Sequence, residues 1–424
     1  MKRILLEIKA LSPLAIARQK PGGSISEVES YIPGSVIRGA IAAQILQKYR
    51  QLQQSEQQQE WSQDFSENGG DFQALFLDDT PAIFQNAYPA TIEIKDKTIL
   101  QPEVRVLPTT ALSSKNSSGF TSKKGSNGVF DTLIDRFCAE GYGYPYDPNC
   151  PTDGGRVDAH SCFYSKLNDK YHAHSVNKRL LTRVGINRRL ATAEEEILYS
   201  IEVLNESESK GKKPKPVIYC GSILVEDSLA DSLTQFILDR SENFRLGGST
   251  SRGLGKVKIQ AKIVDIKPNV VAKVENFNEK LGQRWKEWRV FGSPLKELAI
   301  DRTYFSLDLH SEAILTDNWQ GTTVISEEML KKFTGVKDST LKLEAAYSSY
   351  DYRSGWNSAW GLMKDVELIT NKGAVYLFST AQRDAWMKAL ENLEIVGVGD
   401  RTCEGFGQIE VCNEFHLVFQ EEPV

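Results

Sequence analysis

Seventeen residues, Asn243 to Ile259, read NFRLGGSTSRGLGKVKI and carry four glycines, two arginines and two lysines. Glycines admit positive φ and let a backbone approach a ligand closely. Arg245, Arg252 and Lys256 supply cations, and Ser249, Thr250 and Ser251 supply hydroxyls. Together these groups suit phosphate oxygens. A nucleotide-binding P-loop is excluded, because Leu254 stands where that motif needs lysine and the order is helix, loop, strand rather than strand, loop, helix. A dinucleotide fold fails on the same order. Two readings remain: a loop for a polyphosphate backbone, or a tight connection whose glycines Gly247, Gly248, Gly253 and Gly255 serve turn geometry alone.

The pattern recurs. Gly247, Gly253 and Gly255 match Gly399, Gly405 and Gly407 at a constant spacing of 152 residues, and Arg401 adds a cation to the second copy. In both places a helix precedes the loop and an alternating strand follows it. This reads as an internal duplication of one supersecondary unit. Recurrence with an arginine each time favours the phosphate reading.

A third candidate is YIPGSVIRGAIA. Apolar residues at helical spacing predict a helix from Ser35, its natural N-cap, to Tyr49. Arg38 in the first turn opposes the helix dipole, and Gly39 costs about 1 kcal/mol relative to alanine. Gly34, Ser35 and Arg38 therefore read as a phosphate site at a helix N-terminus. The competing reading makes Arg38 incidental and Gly39 a packing requirement.

These sites need elements to hold them. Strands are expected at Arg3–Ala10, Val217–Glu226, Lys256–Ile266, Arg302–His310 and Ala374–Ser379, and helices at Leu229–Asp239, around Asn278–Trp288 and at Arg383–Leu393. Pro108–Gly128, rich in Ser, Gly, Lys and Asn, reads as a long mobile loop, and Asn205–Pro216 as another. QLQQSEQQQEWSQ reads as a polar helix end or loop.

At 424 residues, two domains are expected. No apolar run is long enough to span a bilayer, so no membrane role is expected. The N-terminus reads as a strand rather than a signal peptide, and six dispersed cysteines suggest a reducing cytoplasm. A net charge of −5 argues against a protein that coats nucleic acid with its whole surface, yet leaves room for a local basic groove. Asn177–Arg189 carries five basic residues and no acidic one.

With YIPGSVIRGAIA, LGGSTSRGLGKV, TRVGINRRLATAEEEILYSIEVL and GWNSAWGL in series, the chain resembles the RAMP superfamily of CRISPR RNA-binding proteins, most of all the large two-domain subunit of type III-D effector complexes. The resemblance implies an α+β fold of tandem ferredoxin-like (RRM-like) domains. These would span residues 1–265, with a long insertion at about 95–200, and 299–424, joined by a connecting segment at 266–298. It further implies a non-catalytic subunit that holds CRISPR RNA near its 5′ handle, beside other RAMP subunits and the large polymerase-like subunit. Arg183, Arg188 and Arg189 match a thumb-like hairpin near the RNA, joining the candidates at Gly34, Ser35, Arg38, Arg401 and 245–256. Tyr350, Tyr352, Trp356 and Trp360 are available as stacking platforms or as core.

Two further chemistries stay open. His160, His172 and His174 near Lys166, Lys170 and Tyr171 offer acid–base groups for metal-independent RNA processing, as in some RAMP relatives. Other relatives cleave target RNA with an aspartate and a metal, but no single aspartate stands out here. Cys138, Cys150, His160 and Cys162 offer ligands for a possible structural zinc, although no CxxC pair is present, so unligated thiols are the alternative. No cofactor is otherwise required.

Overall fold

The computed structural model describes residues 1–18, 27–55, 71–94, 97–187, 192–208, 214–266, 269–357 and 361–424. Its architecture is α+β with antiparallel sheets. The first sheet is built from β1 (Lys2–Ala10), β2 (Ile83–Phe84), β3 (Ile218–Val225) and β4 (Val257–Val264), in the order β4-β1-β3-β2, with the short strand Tyr88–Pro89 also paired to β3. Period-two alternation places Ile4, Leu6 and Ile8 on one face, where α1 (Gly34–Ser55) and α2 (Asp227–Asp239) cover them. Arg3, Leu5, Glu7 and Lys9 point to the other face.

The second sheet repeats this plan. Helix α3 (Val270–Glu287) leads into β5 (Thr303–Leu309), α4 (Glu327–Thr334), β6 (Lys342–Tyr347), β7 (Val375–Thr380), α5 (Arg383–Val396) and β8 (Ile409–Val411), in the order β6-β7-β5-β8. In each sheet the strand after the glycine loop pairs antiparallel with the first strand. Each second-to-third-strand connection throws out a two-stranded arm. The first arm pairs Lys178–Asn187 with Thr192–Leu204, and the second pairs Tyr350–Arg353 with Glu367–Thr370.

The expected strands and helices are present within a few residues of their expected ends, with three differences. Helix α1 starts at Gly34, so Ser35 lies inside the first turn rather than capping it. Helix α3 runs from Val270, well before Asn278, and buries Val270, Val274, Phe277, Leu281 and Trp285 in the core of the second sheet. The expected mobile loop Pro108–Gly128 holds a fully buried strand, Ala111–Ser114, and buried Phe120. Serine hydroxyls explain the last difference: Ser113 Oγ donates to the Gly128 carbonyl at 2.7 Å and Ser114 Oγ to Asp153 at 2.8 Å, so polar residues are satisfied in the interior. Of Asn205–Pro216, 209–213 lie outside the described residues, and Ser207–Glu208 pairs with Lys215–Pro216.

The first sheet's long connection reaches into the second half of the molecule. Its helix Leu133–Tyr142 places Leu133, Ile134, Cys138 and Tyr142 in the core of the second sheet. Asp131 meets His416 there. His416 is wholly buried, with Nδ1 3.0 Å from Asp131 and Nε2 2.7 Å from Asp308. Burial works against a charged imidazole, but Asp308 and Asp131 outweigh it and raise its pKa to about 10.

Candidate nucleic-acid interface

The first glycine loop is a tight bend with a single 3-10 turn, Thr250–Arg252, at its crest. Its base is pinned by backbone bonds from Gly248 to Ala15 (2.7 Å), Gly255 to Pro13 (2.9 Å) and Leu246 to Gly255 (2.8 Å). Gly247 must be glycine on two counts, a φ of 87° and the Ala15 carbonyl only 2.5 Å from where a Cβ would stand. Turn geometry thus accounts for Gly247 and Gly255 at the base, and the crest is left to its side chains. Ser251, Arg252 and Lys256 are exposed, Ser249 is half-buried, and Leu254 anchors the bend among Ala15, Val203, Leu181 and Ile201.

The first arm closes over this crest. Arg183 faces Tyr199 in the ladder and donates from Nη1 to the Arg252 carbonyl at 3.0 Å. Arg252 lies over the Tyr199 ring, 5.3 Å from its centroid, and donates to the Tyr199 hydroxyl at 2.5 Å. Arg183, Tyr199 and Arg252 therefore form one cationic, aromatic surface. Sequence reasoning missed Tyr199, because only the arm's register and its approach to a distant loop bring it there. Arg188 and Arg189 lie outside the described residues. Arg245 donates to the Glu242 and Phe244 carbonyls, which orients its exposed cation without neutralising it.

The second loop has the same backbone. Its 3-10 turn is Thr402–Glu404, and Arg401 at φ 58° matches Ser249 at φ 55°. The base bonds also correspond: Asp400 to Ile314 (2.9 Å), Gly407 to Glu312 (2.8 Å) and Val398 to Gly407 (2.9 Å). Its surroundings are different, because this loop is packed against α1 and β2. A Cβ on Gly405 would stand 2.6 Å from Asn86 Oδ1 and 2.9 Å from the Phe84 carbonyl. Arg401 is neutralised by Glu367 and Glu404, each at 2.6 Å, and lies over Phe406. Arg401, expected beside RNA, is thus engaged by two carboxylates.

The helix N-terminus is closed as well. Gly34 donates to Asn86 Oδ1 at 2.8 Å, and any side chain there would collide with the Phe84 carbonyl and stand 2.8 Å from that of Glu404. Arg38 donates to the Phe76 carbonyl at 2.7 Å and lies over the Phe76 ring, so it caps the end of a short helix, Asp71–Phe76, instead of waiting for a phosphate. Gly39 is exposed, and a Cβ placed on it would have no neighbour within 4 Å, so packing does not require glycine there. Glu404 brings its backbone carbonyl beside Gly34 at the start of α1, while its carboxylate pairs with Arg401. Burial opposes its ionisation, yet Arg401, Lys364 and Arg38 outweigh burial and hold its pKa below the usual carboxylate range.

The second loop's neighbourhood is rich in buried charge. Arg353 bonds Glu312 at 2.5 Å, Arg18 bonds Asp351 at 2.8 Å, and Glu29 stands within 4 Å of both arginines. Burial, then Glu312, raises the Glu29 pKa. Tyr350 and Tyr352 of the second arm are exposed, Tyr352 at 50%, and thus are not core. Trp360 lies outside the described residues, as does the side chain of Trp356.

The expected metal ligands are not gathered. Cys138 is buried in the second core, Cys150 is buried elsewhere in the connection, His160 lies edge-on to Phe120, and Cys162 packs beside a third apolar cluster. Among the described residues no group of three or more His, Cys, Asp or Glu is placed to hold a metal. Of the three histidines, His174 is withdrawn from acid–base chemistry. His174 is buried, with Nε2 2.8 Å from Ser165 Oγ and Nδ1 3.2 Å from the Thr91 carbonyl, and burial lowers its pKa to about 4. No helix among the described residues is long and apolar enough to cross a membrane.

Both sheets thus follow a βαββαβ order in which a glycine loop joins the second helix to the last strand. The chain belongs to the RAMP superfamily, whose family model matches residues 7–258. No curated protein matches it. Among solved structures it is similar to a chain of the type III-B Cmr-beta complex bound to cognate target RNA and AMPPnP, at 13% identity over 91% of this chain and 88% of that one, with a TM-score of 0.39. A chain of the same complex bound to cognate target RNA gives 13% identity over 88% and 86%, with a TM-score of 0.37. One from its apo state gives 12% over 61% and 96%, with a TM-score of 0.28.

Proposed function

We propose that this chain is a non-catalytic, cytoplasmic RNA-binding subunit of a type III CRISPR interference complex, of the type III-D kind. It holds the CRISPR RNA backbone near the 5′ handle, beside other RAMP subunits and the large polymerase-like subunit. In this reading the two sheets are tandem ferredoxin-like domains, 1–265 and 299–424, and the long connection is an insertion in the first. One observation carries the reading: of two loops with the same backbone, the first alone presents its cations outward, with Arg252 and Arg183 framed by Tyr199. Ser249, Ser251 and Lys256 complete a surface of hydroxyls and charge suited to a sugar–phosphate chain. No cofactor has a role in it.

The test is to incubate the purified protein with labelled repeat RNA, with and without Mg²⁺. Binding without cleavage is expected in both. Cutting without metal would replace this reading with a processing nuclease, and metal-dependent cutting of complementary RNA with a target-cleaving subunit.

A further inference from the structure

The face of the first sheet turned away from α1 and α2 carries more positive charge than a stable sheet requires. Its cations continue from the glycine loop. Arg245 bridges to Lys256 at the loop's foot, Lys9 lies directly opposite Lys258, Lys262 lies opposite Leu5, and Arg3 closes the row opposite Val264. Lys256, Lys258 and Lys262 alternate along one face of β4, a span of roughly 20 Å at the usual rise per residue. Glu7, opposite Gln260, is the one carboxylate among the described strand residues of this row.

Two physical points separate this row from an ordinary solvated surface. Like charges directly opposite in a ladder destabilise a sheet, so the Lys9–Lys258 pair is not a choice made for stability. Among the described residues Lys258 is relieved only by Glu242 at 2.9 Å, both groups being exposed. Lys9, Lys256 and Lys262 form no ion pair among the described residues, and the buried Nε of Arg3 has no hydrogen-bond partner there. Edge-strand protection by lysine accounts for Lys258 and Lys262 on β4. It does not account for Lys9 and Arg3, because β1 is paired on both sides, with β3 and with β4.

We infer that this face is a second track for the phosphate backbone of single-stranded RNA, running from the first glycine loop along β4 and β1 across Lys256, Lys258, Lys9, Lys262 and Arg3. The inference rests on the RNA-binding reading and extends it from one loop to a path several phosphates long.

The test compares uniform single-stranded RNAs of about 6 and about 20 nucleotides on the full chain, wild type against the double variant Lys9→Gln/Lys262→Gln. The variant is expected to bind the long RNA on the order of tenfold more weakly, with a salt slope lower by roughly 1.4, while short-RNA affinity is unchanged. Its melting temperature should hold or rise, since a like-charge opposition is relieved. Unchanged long-RNA affinity and slope would overturn the track. If the variant instead loses only its binding to polyglutamate, the face belongs to an acidic protein and the inference also fails. Arg252→Ala separates the two claims: a loss on the short RNA with no track effect leaves the loop reading standing alone, and a track effect with no Arg252→Ala effect refutes the loop instead.

Discussion

The two glycine loops share a backbone and differ at one telling position. At the end of each 3-10 turn the first loop has Arg252 and the second has Glu404. The cation faces outward beside Tyr199, while the carboxylate is turned inward beside the start of α1, where Arg38 and Arg401 stabilise it. The same bend therefore stands open to solvent in one half and is an internal clasp in the other. Conformation decided what each loop could be, and crest charge together with burial decided what it does.

Elsewhere in the second half, His416 ties the long connection to the second sheet through Asp131 and Asp308, and the largest effect should come there. Replacing His416 with alanine leaves Asp131 and Asp308 buried without their cation, and removal of one partner from such a cluster costs about 3–5 kcal/mol. Denaturant unfolding measures it. The wild-type protein should also lose stability in alkali. A histidine whose pKa is raised on folding contributes fully below its unfolded value of about 6.5, and the contribution fades as pH rises through about 10. In His416→Gln that alkaline decline should flatten, and an unchanged decline would mean that the charge on His416 does not hold the connection to the second sheet.

A matched pair of glycines sharpens the contrast next. Gly253 and Gly405 have φ of 85° and 94°, so alanine at either incurs the left-handed penalty of about 1–2 kcal/mol. Alanine at Gly253 meets nothing within 4 Å, whereas at Gly405 it meets Asn86 and the Phe84 carbonyl. Gly405→Ala should therefore cost roughly 1–3 kcal/mol more than Gly253→Ala. Equal losses in unfolding free energy would mean that the second loop is not docked.

RNA binding should divide the loops in the opposite sense. Arg252→Ala should lower the salt slope for repeat RNA by roughly 0.7, the value of one phosphate contact on a single strand. Arg401→Ala should leave affinity and slope untouched while lowering the melting temperature, since it strips Glu404 and Glu367 of their partner. An RNA defect in Arg401→Ala with normal stability would reverse the assignment of the two loops.

What the sequence made legible follows the same division. The two loops and their common spacing were readable because positive φ and close carbonyls demand glycine at fixed positions, as at Gly247 and Gly399. The strands and helices were readable from periodicity. The docking of the second loop was not, since it depends on Gly34, Asn86 and Phe84, which lie more than 300 residues from Gly405 in the chain. One local signal did exist, an acidic residue at 404 where the first copy has Arg252, and it points to the clasp once charge is compared position by position. Tyr199 left no such trace, because an alternating strand carries no mark of what its arm will touch.

The smallest effect tests that local signal directly. Glu404 ionises below the usual carboxylate range when folded, so its contribution to stability is present above the unfolded value of about 4.3 and is lost as pH falls through the folded one. Its side chain is only partly exposed and its main partner is Arg401, so the pair is expected to contribute under roughly 1 kcal/mol. Glu404→Gln should therefore cost little at neutral pH and should make the acid limb of the stability profile shallower. Substituting Arg252→Gln at the equivalent place in the first loop should change no acid limb, because among the described residues no carboxylate pairs with it. If the two variants give the same acid profile, the charge at the crest is not what assigns one loop to the interior and the other to the ligand.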